Sequence, residues 1–278
     1  MTDGVARYGL VGFPIAHSRS PEIHHRWFSE QGLSATYGLY PLDPSVPVDL
    51  GRWLRDSGVL GANLTVPFKE RILPFLQTQS EDVQWSGAAN VVRVTEQGLE
   101  GYNTDGEGFC AGFEEEFGDL PTERMTVVLG AGGSARGIIG SLLKRGTQRI
   151  RVLNRTVARA ESLIDAIGKF HPEVDLTVGP LHSGAFSANA KEVGLVINCT
   201  SGGAEKCVAA LPTESLSADT IWCDLNYWSV EPPQFRDLVD RGLRFQTGFP
   251  MLVHQAALSF ELFTGVKVNP RPILCQLR

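Results

Sequence analysis

A run of small residues after a short apolar segment could bind the phosphates of a dinucleotide. The apolar residues 127–129, suited to a buried strand, lead into Gly130-Ala131-Gly132-Gly133-Ser134-Ala135. Gly130, Gly132 and Ala135 match the Ala-ended dinucleotide fingerprint, in which small residues let a pyrophosphate approach the backbone. The apolar segment 138–143 predicts a helix behind this turn, and a helix N-terminus offers unpaired N–H groups to phosphates.

The residues that follow the next predicted strand indicate which dinucleotide would bind. NAD-binding domains usually place Asp or Glu about 20 residues after the glycines to hold the ribose hydroxyls. Here the predicted strand Arg149–Asn154 is followed by Arg155 and Thr156, and Arg159 lies one helical turn further on. No carboxylate would repel a 2′-phosphate and two guanidinium groups could pair with it, so NADP is predicted rather than NAD. The alternative is a solvated basic helix start, although arginine there opposes the helix dipole.

Lys69 stands where a cation is electrostatically disfavoured. It follows the alternating segment 62–66, a predicted strand that ends at Pro67, and would lie at the start of the next helix. The positive end of the helix dipole makes that a poor place for an ammonium group. The lysine therefore either projects into water or has a functional role, and its position alone leaves both interpretations open.

Two serines lie in a loop after the first predicted strand. Ser20 precedes Pro21 and is predicted to cap the helix that Pro21 opens. Capping does not account for Ser18. The sharper hypothesis is that the two hydroxyls bind a small polyhydroxylated or carboxylate ligand.

Composition excludes several classes of protein. The chain has 278 residues, enough for two domains, and a net charge of −6 that favours neither nucleic acid nor an anionic membrane as partner. No apolar run has transmembrane length and no signal peptide is recognised, so a cytoplasmic protein is expected. The five cysteines are scattered without paired spacing, which indicates reduced thiols rather than disulfides or a zinc site. His24 and His25 adjoin within a predicted helix and are interpreted as structural.

Strands and helices alternate along the chain, which predicts an α/β fold. The predicted strands are 8–12, 36–42, 62–66, 87–94, 99–103, 127–129, 149–154, 174–178, 195–199, 221–225 and 244–246. The predicted helices are 21–31, 48–56, 104–117, 138–143 and an amphipathic one at 248–263, where Gln255 is a polar exception. Regular alternation after residue 107 predicts a doubly wound parallel sheet, whose carboxyl edge is where ligands bind.

These segments together resemble the shikimate dehydrogenase family. The match covers nearly the whole chain and rests on motifs in the family's order, which are Ser18-Arg19-Ser20-Pro21, Asn63-Leu64-Thr65-Val66-Pro67-Phe68-Lys69, Gly87-Ala88-Ala89-Asn90, Asn103-Thr104-Asp105-Gly106, the glycine-rich turn and Asn154-Arg155-Thr156 with Arg159. The resemblance implies an N-terminal α/β substrate domain of residues 1–106, completed by residues 247–278. It also implies a Rossmann-type NADP domain of residues 107–246.

The resemblance also implies roles for individual residues. Lys69 and Asp105 would be catalytic. The substrate would contact Ser18, Ser20, Asn63, Thr65, Lys69, Asn90, Asp105, Tyr227 and Gln255. NADP would contact Gly130, Ala131, Gly132, Gly133, Ser134, Ala135, Asn154, Arg155, Thr156, Arg159, Thr200, Leu225, Gly248, Met251 and, on the other domain, Glu81. No metal is implied.

Three positions depart from the family pattern. Val91 stands where the family usually has Thr after the asparagine, which would loosen one hydrogen bond near the substrate. Trp228-Ser229-Val230 replaces a short Pro-containing turn after Tyr227. Phe263 replaces a Trp, and we expect this to change packing only.

The implied reaction is reversible hydride transfer between NADPH and the ketone of 3-dehydroshikimate, which gives shikimate. Lys69 would donate to the developing alkoxide while Asp105 orients the lysine, and whether Asp105 shares the proton transfer stays open. The alternatives are a quinate/shikimate or an aminoshikimate dehydrogenase. Ser20, where several quinate-using relatives have the bulkier Thr, favours shikimate as substrate. More remote are a folate-linked dehydrogenase and a catalytically silent NADP-binding regulatory module. The protein is expected to be a monomer or a homodimer.

Overall fold

The computed structural model describes residues 4–200, 204–227 and 234–277. The chain forms two compact units. Unit 1 is Met1–Gly108 with Leu252–Arg278, and unit 2 is Phe109–Met251. The departure at residues 228–230, noted after Tyr227, lies outside the described residues.

Strands and helices alternate through both units. The strands are β1 (Ala6–Gly12), β2 (Ala35–Pro41), β3 (Gly61–Leu64), β4 (Thr78–Gln79), β5 (Val91–Thr95), β6 (Gly98–Tyr102), β7 (Met125–Leu129), β8 (Arg149–Asn154), β9 (Asp175–Pro180), β10 (Val193–Asn198), β11 (Ile221–Asp224) and β12 (Arg244–Thr247). The α-helices are α1 (Ser20–Glu30), α2 (Leu50–Asp56), α3 (Phe68–Arg71), α4 (Glu81–Ser86), α5 (Asp105–Phe117), α6 (Gly133–Lys144), α7 (Val157–Gly168), α8 (Ser183–Ser187), α9 (Glu205–Ala209), α10 (Phe235–Asp240), α11 (Phe249–Thr264) and α12 (Arg271–Leu277).

Unit 1 contains a mixed sheet in the order β2-β1-β3-β5-β6-β4. β1 pairs in parallel with β2 and β3, whereas β5 runs antiparallel to both β3 and β6. Because β5 runs opposite to β3 and β6, it starts at the edge where those two strands end. Val91 therefore lies opposite Asn63 on one side and Tyr102 on the other. The residues just before β5 and just after β3 and β6 therefore meet at one edge.

The two faces of this sheet carry different cores. One face packs aliphatic residues from β1, β3, β5 and β6 against α2 and α3, with Leu54, Leu64 and Ile72 almost fully buried. The other face is aromatic and packs against α1 and α11. Its members are Tyr8, His24, Trp27, Phe28, Tyr37, Phe260 and Phe263. Phe263 stacks on Tyr8 with ring centroids 5.0 Å apart, which confirms a packing role at this departure from the family pattern.

His24 and His25 are structural, as expected. His24 is fully buried in the aromatic face and stacks on Tyr37 with ring centroids 4.1 Å apart. Burial lowers the pKa of His24 to about 3, and neither ring nitrogen has a hydrogen-bond partner. His25 accepts a hydrogen bond from the backbone N–H of Tyr37 at 2.9 Å. Both imidazoles therefore hold α1 against β2.

The burial of His24 predicts loss of stability in mild acid. The pKa of His24 is depressed from 6.5 to about 3 in the folded state, so as pH falls below 6.5 the unfolded chain binds the proton first. Between pH 7 and pH 5 this residue should lower the free energy of unfolding by about 2 kcal/mol. Urea unfolding of the wild type and of His24→Phe at both pH values measures this change in the free energy of unfolding. Between pH 7 and pH 5 the variant should lose about 2 kcal/mol less than the wild type. An equal loss in both proteins would contradict the prediction.

Unit 2 contains an all-parallel sheet in the order β12-β11-β10-β7-β8-β9. This is the doubly wound order in which two halves diverge from a central strand. Its strands read as apolar runs because both faces are covered. One face packs on α5, α6 and α7, and the other on α8, α9 and α10. The predicted doubly wound parallel sheet is confirmed.

Most predicted elements form with shifts of a residue or two at their ends. Helix α6 begins five residues earlier than predicted, at Gly133, and one predicted strand start is wrong. Residues 87–90 were expected to begin a strand, but that strand starts at Val91. Gly87 instead takes a left-handed conformation, with φ of 61°, and ends α4, a helix that the sequence pattern did not predict. The three residues that follow cross to the sheet edge, where Asn90 is placed.

No helix within the described parts of the chain is both long and apolar enough to cross a membrane. The five cysteines are free thiols, and burial raises the pKa of Cys223 well above its usual value. Among the described residues no group of three or more His, Cys, Asp or Glu side chains could hold a metal ion.

Candidate active site and nucleotide site

The acid–base candidates of unit 1 meet at one edge of its mixed sheet. The segment after β3 carries Lys69 on the four-residue helix α3. The segment after β6 carries Asp105, the first residue of α5, and Asn90 immediately precedes the reversed strand β5. Strand direction alone thus brings together side chains from three separate stretches of sequence.

Lys69 and Asp105 form a buried ion pair. The Lys69 ammonium donates a hydrogen bond to Asp105 Oδ2, and the two residues are 8% and 3% exposed. A charge is rarely buried to this extent unless it is paired. The interpretation of Lys69 as a solvated lysine is therefore wrong, and the pair has the composition of a proton donor with its orienting carboxylate.

Asn90 holds the second oxygen of this carboxylate. Its Nδ2 donates to Asp105 Oδ1 at 2.9 Å and to Thr104 Oγ1 at 2.9 Å, while its Oδ1 accepts from the Thr104 backbone N–H at 2.7 Å. The backbone N–H of Asp105 donates to Asn103 Oδ1 at 3.1 Å. Asp105 is consequently fixed on both sides, with one oxygen aimed at the ammonium of Lys69.

Gln255 reaches the same cluster from α11. Its Oε1 lies 3.4 Å from Asn90 Nδ2, and its backbone oxygen accepts a hydrogen bond from Thr104 Oγ1 at 3.2 Å. The close approach requires Gly108 on α5, because a Cβ at that position would lie 2.6 Å from the backbone nitrogen of Gln255. The polar exception in the apolar C-terminal helix is thus placed beside Asn90.

The serine loop differs from its prediction in one respect. Ser20 is the first residue of α1 rather than its cap, which is Arg19 without a side-chain capping bond. Instead Ser18 Oγ accepts from the backbone N–H of Ser20 at 3.3 Å, and the two hydroxyls lie 3.2 Å apart. The hydroxyl that accepts a backbone hydrogen bond at the start of α1 is therefore that of Ser18, whereas this role was predicted for Ser20. Both oxygens lie in the segment that follows β1, and Thr65 follows the adjacent strand β3.

Asn63 lies within β3, and both ends of its amide make hydrogen bonds. Its Oδ1 accepts from the Tyr37 hydroxyl at 2.8 Å, and its Nδ2 donates to Ser259 Oγ at 2.8 Å and to the backbone oxygen of Asn90 at 3.3 Å. Tyr37, Thr104 and Ser259 were not identified from the sequence. Their partners lie at distant chain positions, so no local pattern could indicate them.

The glycine-rich turn of unit 2 joins β7 to α6. Gly130 has φ of +101°, and a Cβ there would lie 3.2 Å from the backbone of Cys199, so both conformation and space require glycine. Gly132 is the N-cap of α6, and a Cβ placed on it would meet no atom within 4 Å. The first turn of α6 contains no acidic residue. These properties fit a diphosphate.

The predicted 2′-phosphate clamp lies beside this turn. The Gly130 backbone N–H donates to the Leu153 backbone oxygen at 2.8 Å, so the residues after β8 adjoin the glycines. Asn154 Nδ2 donates to the Thr156 backbone oxygen at 2.8 Å, and Arg155 and Arg159 have exposed side chains. The segment after β8 thus carries two arginines and no carboxylate, which fits the 2′-phosphate of NADP.

The remaining predicted cofactor residues of unit 2 come from neighbouring strand ends. Thr200 donates to Asn198 Oδ1 after β10, and a Cβ on Gly248 would lie 2.0 Å from the Leu225 backbone oxygen after β11. Met251 is buried in the core of unit 2. Glu81 lies in unit 1, exposed at the start of α4, and Tyr227 is half-buried in unit 2.

Asp224 is a buried acid at this edge of the sheet. It ends β11 and accepts hydrogen bonds from Asn198 Nδ2 at 2.9 Å and from the Asn226 backbone at 2.9 Å. Burial raises the pKa of Asp224 above its ordinary value. These bonds tie the ends of β10 and β11 together.

A doubly wound nucleotide sheet and a buried lysine–aspartate pair define a nicotinamide-dependent oxidoreductase. Family models agree in three segments, described as the shikimate dehydrogenase substrate binding domain at residues 10–92, shikimate / quinate 5-dehydrogenase at 113–206 and the shikimate 5′-dehydrogenase C-terminal domain at 248–277. The chain belongs to the shikimate dehydrogenase family.

Individual relatives match over nearly the whole chain. Shikimate dehydrogenase (NADP(+)) of Geobacillus kaustophilus is 36% identical over 93% of this chain and 92% of the relative. The Rhodopseudomonas palustris (strain HaA2) enzyme of the same name is 37% identical over 95% and 92%. The structure of shikimate 5-dehydrogenase from Thermus thermophilus in complex with NADP(H) and shikimate matches with a TM-score of 0.81, 33% identity and 96% coverage of both chains. Quinate dehydrogenase of Corynebacterium glutamicum in complex with NAD matches with a TM-score of 0.83 at 26% identity, covering 97% of both chains.

Proposed function

We propose that this protein catalyses the reversible, NADP-dependent reduction of 3-dehydroshikimate to shikimate. The observation that carries the proposal is the buried Lys69–Asp105 pair, held by Asn90 at the edge where β1 ends and the predicted substrate loop begins. The NADP-dependent shikimate dehydrogenases among its relatives support the choice of substrate and cofactor.

Each unit has a proposed role. Residues 1–106 and 247–278 form the substrate domain, and residues 107–246 form the NADP domain. The proposed substrate contacts are Ser18, Ser20, Asn63, Thr65, Lys69, Asn90, Asp105, Tyr227 and Gln255. The proposed NADP contacts are residues 130–135, Asn154, Arg155, Thr156, Arg159, Thr200, Leu225, Gly248, Met251 and Glu81.

The chain's own residues manage the proton of this reaction. NADPH, when bound, supplies the hydride that reduces the ketone carbon. The ammonium of Lys69 donates a proton to the carbonyl oxygen as negative charge develops there, and the amine takes the proton back in the oxidation direction. Asp105 orients the ammonium through Oδ2, and Asn90 fixes the carboxylate through Oδ1. Because these groups are already ordered by the fold, little reorganisation accompanies the reaction.

A substrate and cofactor panel tests the proposal. Initial rates are measured by absorbance at the reduced nicotinamide band with shikimate or quinate and with NADP or NAD. We expect the highest kcat/KM for shikimate with NADP. A higher value with quinate would support the quinate alternative, which the Corynebacterium glutamicum neighbour represents. Absence of turnover with every pair would contradict the proposed function.

We also propose a cytoplasmic location and a monomeric or homodimeric state. Five free cysteines without paired spacing support a reducing compartment. Sedimentation velocity distinguishes the two states of assembly.

A further inference from the structure

Asp224 is a buried carboxylate that accepts hydrogen bonds from three neutral amide donors. It ends β11 and is 1% exposed. Its Oδ2 accepts from Asn198 Nδ2 at 2.9 Å, and its Oδ1 accepts from the backbone N–H and from Nδ2 of Asn226 at 2.9 and 2.7 Å. Neutral donors offset the burial of a charge less well than a cation does, and burial raises the pKa of this carboxyl. A charge kept at such a cost needs a reason.

The reason is that this position requires a side chain that only accepts. An ionised Asp accepts at both oxygens, whereas an Asn of the same shape has one oxygen and one amino group that only donates. That amino group would face the donor of Asn198 or the donors of Asn226. The carboxylate also fixes the Asn198 amide, because this amide must turn its Nδ2 toward Asp224 and its Oδ1 away.

The oxygen of Asn198 in turn holds Thr200. It accepts from the backbone N–H of Thr200 at 3.1 Å and from the Thr200 hydroxyl at 2.7 Å. A hydroxyl has a single proton, and this bond uses it, so toward a ligand the Thr200 hydroxyl only accepts. It is therefore suited to a ligand group that donates, such as a ribose hydroxyl or the carboxamide N–H groups of nicotinamide.

Thr200 lies where the two halves of the nucleotide sheet diverge. The glycine turn follows β7, Thr200 follows its neighbour β10, and a Cβ on Gly130 would lie 3.3 Å from the Thr200 nitrogen. In a doubly wound sheet a dinucleotide crosses at this point, with one mononucleotide over each half. The predicted 2′-phosphate clamp belongs to the half that contains β8. The nicotinamide mononucleotide is therefore expected over the ends of β10 and β11.

We propose that Asp224 is a positioning residue for the nicotinamide half of NADP, acting through the Asn198 amide on Thr200. Its other oxygen holds Asn226, in the segment that follows β11. This segment also carries Leu225, a proposed NADP contact, whose backbone N–H donates to the Asn198 backbone oxygen at 3.0 Å. The inference rests on the proposed function for the NADP contacts, and its test measures binding alone.

An exchange of the two paired side chains tests the proposal. Asp224→Asn sets two amino groups against each other. Adding Asn198→Asp restores the pattern, because the carboxylate at position 198 accepts from Thr200 and from the amino group at position 224, while the amide oxygen at 224 still accepts from Asn226. Asp219→Asn is the control. It removes the same charge near the opposite end of β11, from an exposed side chain that pairs with Arg124 at 2.5 Å.

Calorimetric titration gives Kd values for NADP and for adenosine 2′,5′-bisphosphate, after thermal unfolding has confirmed that each variant folds. The bisphosphate has the adenosine and the 2′-phosphate of NADP but no nicotinamide, so comparison of the two ligands isolates the nicotinamide half. In Asp224→Asn we expect NADP to bind about 10-fold more weakly and the bisphosphate to change less than about twofold, since a contact of the nicotinamide half is lost. The exchanged double variant should bind NADP within about threefold of the wild type, and Asp219→Asn should match the wild type.

Equal weakening of both ligands in Asp224→Asn would show a general structural role and overturn the proposal. A double variant that binds NADP no better than Asp224→Asn would overturn it too. Asn226→Ala takes the place of Asp224→Asn if that variant does not fold, because it removes one donor and leaves Asn198 in contact. NADP should then bind about threefold more weakly with the bisphosphate unaffected, and unchanged NADP affinity contradicts the proposal. These affinities need no turnover, so they decide the role of Asp224 even if shikimate proves not to be the substrate.

Discussion

Replacing Lys69 with alanine is expected to lower turnover of shikimate by about 10²-fold or more, the usual scale for one acid–base group. The ammonium that protonates the developing alkoxide is then gone, while the predicted NADP contacts of unit 2 are untouched. Saturating-substrate kcat and a fluorescence titration with NADPH measure the two effects separately. Near-normal turnover in this variant would remove Lys69 from the mechanism.

The control for this experiment lies on the same short helix. Arg71 is exposed and its guanidinium contacts the Phe68 ring, so Arg71→Ala removes an equal charge without touching Asp105. It should keep wild-type turnover. Because Lys69→Ala leaves a buried carboxylate without its ion-pair partner, folding must be checked. Lys69→Met, which keeps the length of the side chain, and the double variant Lys69→Met/Asp105→Asn, which removes both charges, give further folded forms for comparison.

Replacing Arg155 with alanine is expected to weaken NADP binding by about 10- to 150-fold, which corresponds to the loss of one charge-assisted hydrogen bond of roughly 1.5–3 kcal/mol. NAD lacks the 2′-phosphate, so its affinity should hardly change. Kd values for both cofactors from fluorescence or calorimetric titration supply the comparison. Equal weakening of NADP and NAD would show that Arg155 does not recognise the 2′-phosphate.

Arg149→Ala provides a matched change of charge at the opposite end of the strand that Arg155 follows. Arg149 begins β8, at the end opposite the glycine turn, and pairs with Glu192 at 2.5 Å. It alters the net charge as much as Arg155→Ala does. If affinity for NADP falls only in the Arg155 variant, the effect comes from local pairing and not from the overall field.

Features that depend on neighbouring residues could be predicted from the sequence. The glycine turn and the strand before it are contiguous, so their pattern was sufficient to predict the start of a nucleotide sheet. Arg155 was found because the βαβ unit fixes its distance from the glycines along the chain. Lys69 was singled out since its position opposes the helix dipole, yet only the fold shows that it is buried and paired.

Features that depend on distant pairing could not be predicted in the same way. The Asn63 amide lies between Tyr37 and Ser259, which are separated by 222 positions in the sequence, and its hydrogen bonds to both follow from sheet order and from the packing of α11. The start of β5 was misplaced because the left-handed conformation of Gly87 ends a helix there. Ser20 was assigned the wrong role, since the backbone angles of Arg19 decide where α1 begins.

The reversed strand β5 has a consequence for how the sequence of unit 1 can change. Its turn to β6, at residues 96–97, and the starts of β1 and β3 lie at the far end of the strands from Lys69 and Asp105. None of the residues assigned to chemistry lies at that far end. Substitutions that adjust solubility or thermal tolerance can accumulate there over generations, independently of selection on the catalytic pair.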